Sequence, residues 1–580
     1  MATPVAAQSA KYMAVDEIET GMRGYGLNVF RGTDIARFDF EVIDVVRNYW
    51  GPRQSVILVR CSGQGLDKSG IVSGMSGAPL YIDDRMIGAV AFKWPFAKEP
   101  LAGVTPIGQM LKIPTDPPAD DDHGAGVSLP AKTLLNAMVH RTNPIPIAML
   151  RRMRPPRGMS LPLSVSSAAP GVIPLLEEYL KPLGLQPVGV GVGGAAAPQD
   201  IKLTPGATLA VSLLQGDLNI AAVGTVTEVD DSRVLGFGHA FLAQGAVDLP
   251  MATGHVYTIV PSVHSSFKVA APIQTVGRLV SDETSGISGR TGPSPKMIPL
   301  TVHFEDQTTG RVEDYDYRIA RHFMLTPIIT AAAVGNSMLA NHNLPAENSV
   351  RLVGSLFFED GIRLEIDELL SGPGASVSTA IMGPIVSMMM NPYRQIELTS
   401  GQVNIQLEGR TRVAQVLSAT LDRDRIRAGE RITVTAQLQP YRIKGDPPSP
   451  LQVSIRIPDH LPDGSYQLSL ADARQYLALM QSEMPHRFEP STLAGYLRTL
   501  ETVLATRLDS LYLVLHSNQS GVAVDSVEMD HLPRSRAMVY TDPRRTNAKK
   551  YKLFEFASAQ SDYVLSGLSQ FSLTVDANAP

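Results

Sequence analysis

Cysteine is nearly absent from this sequence. The 580-residue chain has one, Cys61, so no disulfide can form within it and no zinc site can be built from cysteines. We expect a buried free thiol in a strand. No run of eighteen apolar residues occurs, so we predict no transmembrane segment. The chain has only two tryptophans, which leaves few rings for stacking on sugars and disfavours carbohydrate binding.

Charge is also limited. Charged residues make up 18% of the chain and the net charge is −5 at pH 7, and no Lys/Arg run interleaved with aromatics indicates a nucleic-acid partner. A hydrophobic content of 44%, with 48 glycines and 43 prolines, is typical of a turn-rich, mainly β globular protein. A chain of this length needs more than one hydrophobic core, so several domains are expected.

The first ten residues, MATPVAAQSA, lack the basic and apolar regions of a signal peptide. They are rich in alanine and other small residues, which is typical of the sequence that remains after a signal peptide has been removed. We therefore expect an exported bacterial protein, periplasmic or associated with the cell envelope. An ordinary cytosolic N-terminus is the alternative.

A candidate nucleophile lies in the segment GIVSGMSGAPLYIDDRM. Ser76 is flanked by Gly74 and Gly77, with Pro79 just beyond, so the backbone can turn sharply and hold the hydroxyl outward. This turn resembles the layout around the nucleophile of chymotrypsin-like peptidases. That resemblance implies an oxyanion hole formed by the amides of Gly74 and Ser76. The alternative is a glycine-rich hairpin whose serine merely favours the turn.

The resemblance extends from Phe38 to Leu111. This run contains FDFEVIDVV, SVILVR, GIVSGMSGAPLYIDDRMIGAVAF and AGVTPIGQML. It resembles the sporulation factor IV B (SpoIVB) peptidase family of serine peptidases, whose similar block has FD-x-E-[IV], GIV-x-GMSG-[SA]-P, a polar tip, IGAV and a glycine-led segment ending in ML. The resemblance implies a trypsin-like double β-barrel with Ser76 as the nucleophile.

A second block, GTVTEVDDSRVLGFGHAF, contains His239. Its flanking glycines and the polar turn before it predict a position at a strand end, where a structural core histidine is the alternative. The block is similar to the segment of the same family that reads G-x-[GL]-T, a polar turn, then G-x-[LF]-GH. The histidine of that segment is the catalytic base, so the resemblance implies that His239 is the general base here.

The sequence departs from the family pattern in two ways. The family places its histidine half first, whereas Ser76 comes first here, which requires permuted or exchanged half-domains that pack together. The family's orienting aspartate stands just before the GIV strand, where this chain has Cys61, Ser62 and Gly63. Four alternatives remain: Asp67, which is near in sequence but on a predicted loop tip; Asp217, before the histidine; Asp248, after it; and no orienting acid at all. Loss of the orienting acid lowers the rate without abolishing catalysis.

Changes in composition along the chain predict its domains. These are a β-barrel half with the serine motif (12–115), a linker with helices (116–194), a β-barrel half with the histidine motif (195–345), a connecting α/β segment (346–410), an immunoglobulin-like β-sandwich (411–470) and a small C-terminal α+β unit (471–580). The linker contains Asp120, Asp121, Asp122 and His123. Adjacent like charges of this kind favour a solvated run over a metal site.

Together these features predict a serine endopeptidase that cleaves a protein or peptide substrate, or itself, through an acyl-enzyme on Ser76 with His239 as base. We expect no metal and no organic cofactor. The C-terminal domains are candidates for docking an envelope protein partner. The alternative is a non-catalytic cell-envelope scaffold or binding protein that retains the peptidase fold, which the missing aspartate favours.

Overall fold

The computed structural model describes residues 11–115, 127–153, 161–190, 201–340, 344–372, 376–441, 449–524, 527–530, 532–540 and 548–579. The N-terminal ten residues and the acidic run at 120–123 therefore lie outside the described part. The protein is mainly β, as predicted. It divides into two compact units, the first of Met1–Gly126, Ile145–Pro299 and Asp316–Asn341 and the second of Val127–Pro144, Leu300–Tyr315 and His342–Pro580.

The first unit begins with a closed six-stranded barrel. Its strands are β1 (Arg23–Val29), β2 (Ile35–Gly51), β3 (Gln54–Ser62), β4 (Pro79–Ile82), β5 (Arg85–Lys93) and β6 (Leu101–Pro106). Alternate residues of β2, Phe38, Phe40 and Val42, are buried in the barrel core, as the two-residue period of a strand requires. Cys61 is a buried free thiol on β3, as expected, and burial raises its pKa to about 12.

Six further strands of the same unit form a second closed ring. They are β9 (Thr208–Gly216), β10 (Asn219–Asp230), β11 (Arg233–Gly236), β12 (Gly245–Val260), β13 (Phe267–Glu283) and β14 (Gly286–Thr291). Each is antiparallel to two neighbours, and pairing of β9 with both β10 and β12 closes the ring. The protein thus has the two barrels that the resemblance implied.

The two barrels have the same strand order. Around the first the order is β1, β2, β3, β6, β5 and β4, and around the second it is β9, β10, β11, β14, β13 and β12. Numbered within each barrel, both orders are first, second, third, sixth, fifth and fourth. A loop in one barrel therefore has a topologically equivalent loop in the other.

The remaining strands of the first unit extend the second barrel. β7 (Leu161–Ser166) pairs with β10 and, in parallel, with β8 (Leu185–Val190), while the end of β16 (Arg311–Ile319) pairs with β9. The connection between β7 and β8 passes through a helix, as parallel strands require.

Helices are short and few relative to strands. Those of the described residues are α1 (Leu66–Ser69), α2 (Ile107–Met110), α3 (Ala131–His140), α4 (Ile147–Met153), α5 (Val172–Leu180), α6 (Leu325–Leu339), α7 (Val377–Met389), α8 (Ala473–Glu483), α9 (Leu493–Ala505) and α10 (Arg534–Tyr540), with 3₁₀ turns at Val15–Glu17, Lys181–Leu183 and Glu359–Gly361. Within the described ranges, none is both long enough and apolar enough to span a bilayer.

The second unit contains one mixed sheet and a β-sandwich. In the mixed sheet, β19 (Leu398–Glu408) lies between β17 (Ser349–Phe358), which also pairs with β18 (Arg363–Ser371), and β15 (Ile298–Asp306). One sheet of the sandwich has β20 (Val413–Leu421), β22 (Arg431–Pro440), β23 (Ser449–Arg456) and β28 (Val564–Ser566). The other has β21 (Arg425–Ile426), β24 (Gly464–Asp472), β25 (Ser510–Val524), β26 (Val527–Met529), β27 (Ala548–Gln560) and β29 (Leu568–Val575).

One hydrophobic core fills the sandwich. Val434 and Ile455 of the first sheet pack in the same cluster as Leu470, Leu513 and Leu573 of the second. The sandwich placed at 411–470 by the sequence therefore takes most of its second sheet from the predicted C-terminal α+β segment.

Candidate active site

Ser76 lies on the turn between β3 and β4, the third and fourth strands of the first barrel. Glycine is required at two positions of this turn, because Gly74 and Gly77 have φ of +102° and +95°. A Cβ on Gly77 would lie 2.0 Å from the carbonyl oxygen of Thr225 and 2.5 Å from the amide nitrogen of Phe237. The turn is therefore packed directly against the backbone of the second barrel.

Two amides of this turn are unpaired, and they are the two expected at an oxyanion hole. The Met75 amide donates to the Val72 carbonyl and the Gly77 amide to the Val90 carbonyl, at 3.0 and 2.7 Å. Among the described residues, the amides of Gly74 and Ser76 have no acceptor. Their alternation with paired amides leaves two free donors within one short turn.

Carbonyls of the same turn are held by two threonines of the second barrel. The Thr225 amide donates to the Ser76 carbonyl at 2.8 Å, and the Thr225 Oγ1 donates to the Gly74 carbonyl at 3.0 Å. A second threonine of β10, Thr227, donates its hydroxyl to the Gly77 carbonyl at 2.8 Å. These bonds fix the orientation of the turn without using the two free amides.

His239 lies on the turn between β11 and β12, the third and fourth strands of the second barrel. It therefore occupies the place in its barrel that Ser76 occupies in the other. Its side chain is 3% exposed, and Nδ1 is 2.7 Å from the Ala240 carbonyl oxygen. Because a carbonyl only accepts, Nδ1 carries the hydrogen and Nε2 carries the lone pair.

The His239 ring is neutral at neutral pH. Burial lowers its pKa to about 4, and the bond to the Ala240 carbonyl opposes this shift. In the described part of the chain, Nε2 has no hydrogen-bond partner. The ring thus presents an unprotonated, unpaired nitrogen, which is the state that a general base needs.

None of the three predicted aspartates is bonded to the His239 ring, because Nδ1 is bonded to the Ala240 carbonyl and Nε2 is unpaired. Asp67 is exposed on α1. Asp217 accepts from the Asp316 amide at 2.7 Å, and Asp248 lies 3.5 Å from Arg278. A backbone carbonyl therefore occupies the position where a triad has its carboxylate.

A different acid, Asp282 near the end of β13, supports the histidine turn. Its buried carboxylate accepts from the amides of Phe241 and Leu242 at 2.7 and 2.6 Å and from that of Gln244 at 3.4 Å. Sequence reasoning missed this residue, because Asp282 stands beside Glu283 before a glycine turn, where acids are normally solvated. Only the tertiary structure distinguishes the buried acid from the exposed one.

The serine and histidine turns lie side by side. The Val90 carbonyl that accepts from the Gly77 amide would be 2.9 Å from a Cβ placed on Gly238, and the Thr105 hydroxyl donates to the Gly238 carbonyl at 2.6 Å. Ser76 Oγ is fully buried and, within the described residues, unpaired. The two side chains share one compact unit, but they are not hydrogen-bonded to each other.

The space beside His239 is small. A cavity of about 20 Å³, lined by His239, Gly238, Thr105, Trp50 and Phe92 among others, has room for little more than one water molecule. A larger cavity of about 310 Å³, in the second unit, contains neither Ser76 nor His239. The space beside His239 is therefore nearly closed in this structure, and Ser76 does not line it.

No metal site accompanies these residues: the described ranges contain no group of three or more His, Cys, Asp or Glu side chains placed to hold an ion. His255 lies on β12 with its ring tilted against that of Tyr257, and His264 is exposed and packs edge-on against Phe96.

Comparison with known protein families bears on the serine turn. Residues 2–110 match the family model for SpoIVB peptidase S55. The match confirms the resemblance noted from the sequence, and it covers the first barrel with the Ser76 turn. It ends before the second barrel and so does not include His239. No curated protein and no solved structure matches the chain.

Proposed function

We propose that the protein is a serine endopeptidase in which Ser76 is the nucleophile and His239 the general base. The SpoIVB peptidase match supports a serine-peptidase family assignment for the segment that carries Ser76. The observation that carries the proposal is the position of the two residues on equivalent, adjoining turns, with Ser76 Oγ and His239 Nε2 both unpaired among the described residues.

In the proposed acylation step, His239 Nε2 takes the proton from Ser76 Oγ as Oγ bonds to the substrate carbonyl carbon. The carbonyl oxygen becomes an oxyanion that accepts from the amides of Gly74 and Ser76. The carbon–nitrogen bond then breaks, and the proton on Nε2 passes to the leaving amine. Water hydrolyses the resulting ester by the same proton transfers, which restores the serine and releases the acid.

The Ala240 carbonyl takes the orienting part of the missing aspartate in this mechanism. It fixes the Nδ1–H tautomer through the 2.7 Å bond. It carries no full negative charge, so it stabilises the imidazolium less than a carboxylate would. We therefore expect a slower enzyme than one with a complete triad.

The proposed substrate is a protein, or the chain itself. Tyr49, Trp50 and Trp94 are each more than one-third exposed around Phe92, and Trp50 and Phe92 also line the cavity beside His239. Aromatic surfaces of this kind pack well against apolar side chains of a peptide. We further propose an exported bacterial protein that acts in the cell envelope, with the second unit available for an envelope partner.

A non-catalytic envelope scaffold is the second candidate. The burial of Ser76 Oγ and the lack of a hydrogen bond to His239 favour it. Catalysis requires that the surrounding loops open far enough to admit a peptide and bring Oγ to Nε2, whereas a scaffold has no such requirement.

Labelling with a fluorophosphonate separates the two candidates. The reagent bonds its phosphorus to an activated serine oxygen and releases fluoride, so it reports the nucleophile without knowledge of the substrate. We expect covalent labelling of the wild-type protein at Ser76, located by peptide mass spectrometry, and none of Ser76→Ala. An unlabelled but folded wild type would support the scaffold instead.

A further inference from the structure

Lys268, on β13, is a buried lysine that has no part in the mechanism proposed above. The residue is 2% exposed. Its Nζ donates to the Asn28 Oδ1 at 2.7 Å, and no carboxylate contributes to its pKa. Burial of an ammonium group without a carboxylate is costly, so its retention suggests a partner that is present only part of the time.

The side chain of Lys268 lies directly against the proposed oxyanion hole. A Cβ placed on Gly74 would be 3.0 Å from the Lys268 Cδ and 3.2 Å from its Cγ. The Lys268 amide also donates to the Ser73 carbonyl at 3.0 Å. The lysine therefore contacts the Ser73–Gly74 peptide, which carries the free Gly74 amide, and packs against the Gly74 Cα.

The ammonium group is also connected to the far side of the same turn. Asn28 Oδ1, which accepts from Lys268 Nζ, is 3.1 Å from the Thr225 Oγ1, and that oxygen is 3.0 Å from the Gly74 carbonyl oxygen. Asn28 and Thr225 are both fully buried. The one hydroxyl hydrogen of Thr225 is within reach of two acceptors, the Asn28 amide oxygen and the Gly74 carbonyl oxygen, so Asn28 and Thr225 place the buried charge next to the turn that carries Ser76.

We propose that Lys268 is a positioning and electrostatic residue of the oxyanion hole: its side chain holds the Gly74 peptide, and its charge stabilises the oxyanion formed at the Gly74 and Ser76 amides. This role rests on the proposed peptidase function. The partner that the buried ammonium lacks in the free protein is the transient negative charge of the tetrahedral intermediate. A preorganised charge in a site closed to water acts strongly on such an intermediate.

The charge of the Lys268 side chain changes within a pH range that can be tested. Burial lowers the pKa of Lys268 to about 7. The groups that face it from the packed elements are Asn28 of β1, Thr225 of β10 and the serine turn, while Ile259 of β12 is its register partner. A second lysine, Lys93 of β5, donates its Nζ to the carbonyl of Ser266, two residues before Lys268. Burial lowers the pKa of Lys93 to about 8.

The rate of fluorophosphonate labelling as a function of pH tests the proposal. The wild-type rate should rise as pH passes through about 4, where His239 loses its proton, and fall as pH passes through about 7, where Lys268 loses its own. Lys268→Met keeps an unbranched side chain one atom shorter and removes the charge. We expect this variant to label about tenfold more slowly at the optimum and to lack the fall near pH 7. Lys98→Met, at an exposed lysine, is the control and should match the wild type.

Asn28→Asp gives a second test that keeps the lysine. A carboxylate beside Nζ favours the charged form, so the falling part of the profile should move to higher pH. Circular dichroism identifies variants that fail to fold. The wild-type profile alone remains decisive in that case, since a rate that shows no fall near pH 7 overturns the proposal.

The other outcomes are distinct from one another. If Lys268→Met has the rate and profile of the wild type, the role of Lys268 is wrong and the proposed function stands. If the wild-type rate rises through pH 7 and Lys268→Met is unlabelled, the lysine is the base and the proposal is again wrong. If the wild type is never labelled, the proposed function fails and this role fails with it.

Discussion

The serine turn and the histidine turn occupy the same place in two barrels of identical strand order, and each is held by a threonine from the other barrel. Thr225 of the second barrel donates to the Gly74 carbonyl, and Thr105 of the first barrel donates to the Gly238 carbonyl. Both bonds join one barrel to the other.

The two turns differ in the buried charge beside them. The serine turn packs on a lysine, Lys268, and the histidine turn is held by a carboxylate, Asp282. Both residues belong to β13, one near each end. The cation lies where the proposed reaction develops negative charge, whereas the anion binds backbone amides and leaves the ring to the Ala240 carbonyl. The two turns therefore have equivalent positions in the topology, but a buried cation lies beside one and a buried anion beside the other.

Removing one of the two proposed reacting groups should have the largest effect on the labelling rate. We expect His239→Ala to lower the rate of fluorophosphonate labelling by about a thousandfold or more, because Ser76 then has no base. Labelling rates by gel fluorescence check this. His303→Ala, at an exposed histidine of the second unit paired with Asp314, is the control. Equal labelling of His239→Ala and the wild type would show that the turns do not act together.

A methyl group added at Gly77 should disrupt the packing of the serine turn against the second barrel. A Cβ there meets two backbone atoms of the second barrel within 2.5 Å, at a φ of +95°. We expect Gly77→Ala to lower the free energy of unfolding by about 3–5 kcal/mol, measured by chemical denaturation.

Gly21→Ala is the matched control for Gly77→Ala. Gly21 has a similar φ of +84° but no atom within 4 Å of the added Cβ, so only the backbone cost of about 1 kcal/mol applies. Equal losses in the two variants would contradict the close approach of the turn to Thr225 and Phe237.

The sequence predicted much of this comparison from local signals. Gly74, Ser76 and Gly77 predicted the serine turn because the glycines impose it, and the family-like blocks predicted two barrel halves. The buried charged residue beside each turn could not be predicted from the sequence. Lys268 and Asp282 are about as far apart as β13 is long, and nothing in FKVAAP or LVSDET indicates that these two charges are buried. Their burial follows from closure of the second barrel and its packing on the first, which no local pattern encodes.

The two buried charges should give opposite dependences of stability on pH. Burial raises the pKa of Asp282 to about 6, against the effect of the amides that it accepts from. The folded state then binds this proton more tightly than the unfolded state, so the contribution of Asp282 to stability is fully present below about pH 4 and is lost as pH rises through about 6. The loss is on the order of 2–3 kcal/mol.

Lys268 works in the other direction. Its pKa is lowered in the folded state, so its contribution to stability increases as pH rises above about 7. Urea denaturation across pH 4 to 9 measures both effects. The difference in unfolding free energy from the wild type should vary with pH only below about 6 for Asp282→Asn and only above about 7 for Lys268→Met. His239, whose pKa is lowered to about 4, and Lys93, whose pKa is lowered to about 8, keep their own pH dependences in both variants. A variant that alters both ranges, or neither, would contradict the assignment of these charges.

The smallest effect is expected from removing the threonine hydroxyl that bonds each turn from the opposite barrel. Thr225→Val and Thr105→Val each delete a hydroxyl bonded to a carbonyl of the opposite barrel, at 3.0 and 2.6 Å, and each should cost about 1 kcal/mol of unfolding free energy.

The rate of fluorophosphonate labelling should distinguish the two variants. Thr225→Val loosens the oxyanion side and should lower the maximum rate severalfold without moving the acidic part of the pH profile, which belongs to His239. Thr105→Val loosens the histidine side and should move that part of the profile. Thr420→Val, in the second unit, is the control, and identical profiles for the two barrel variants would mean that the reciprocal threonines act only on stability.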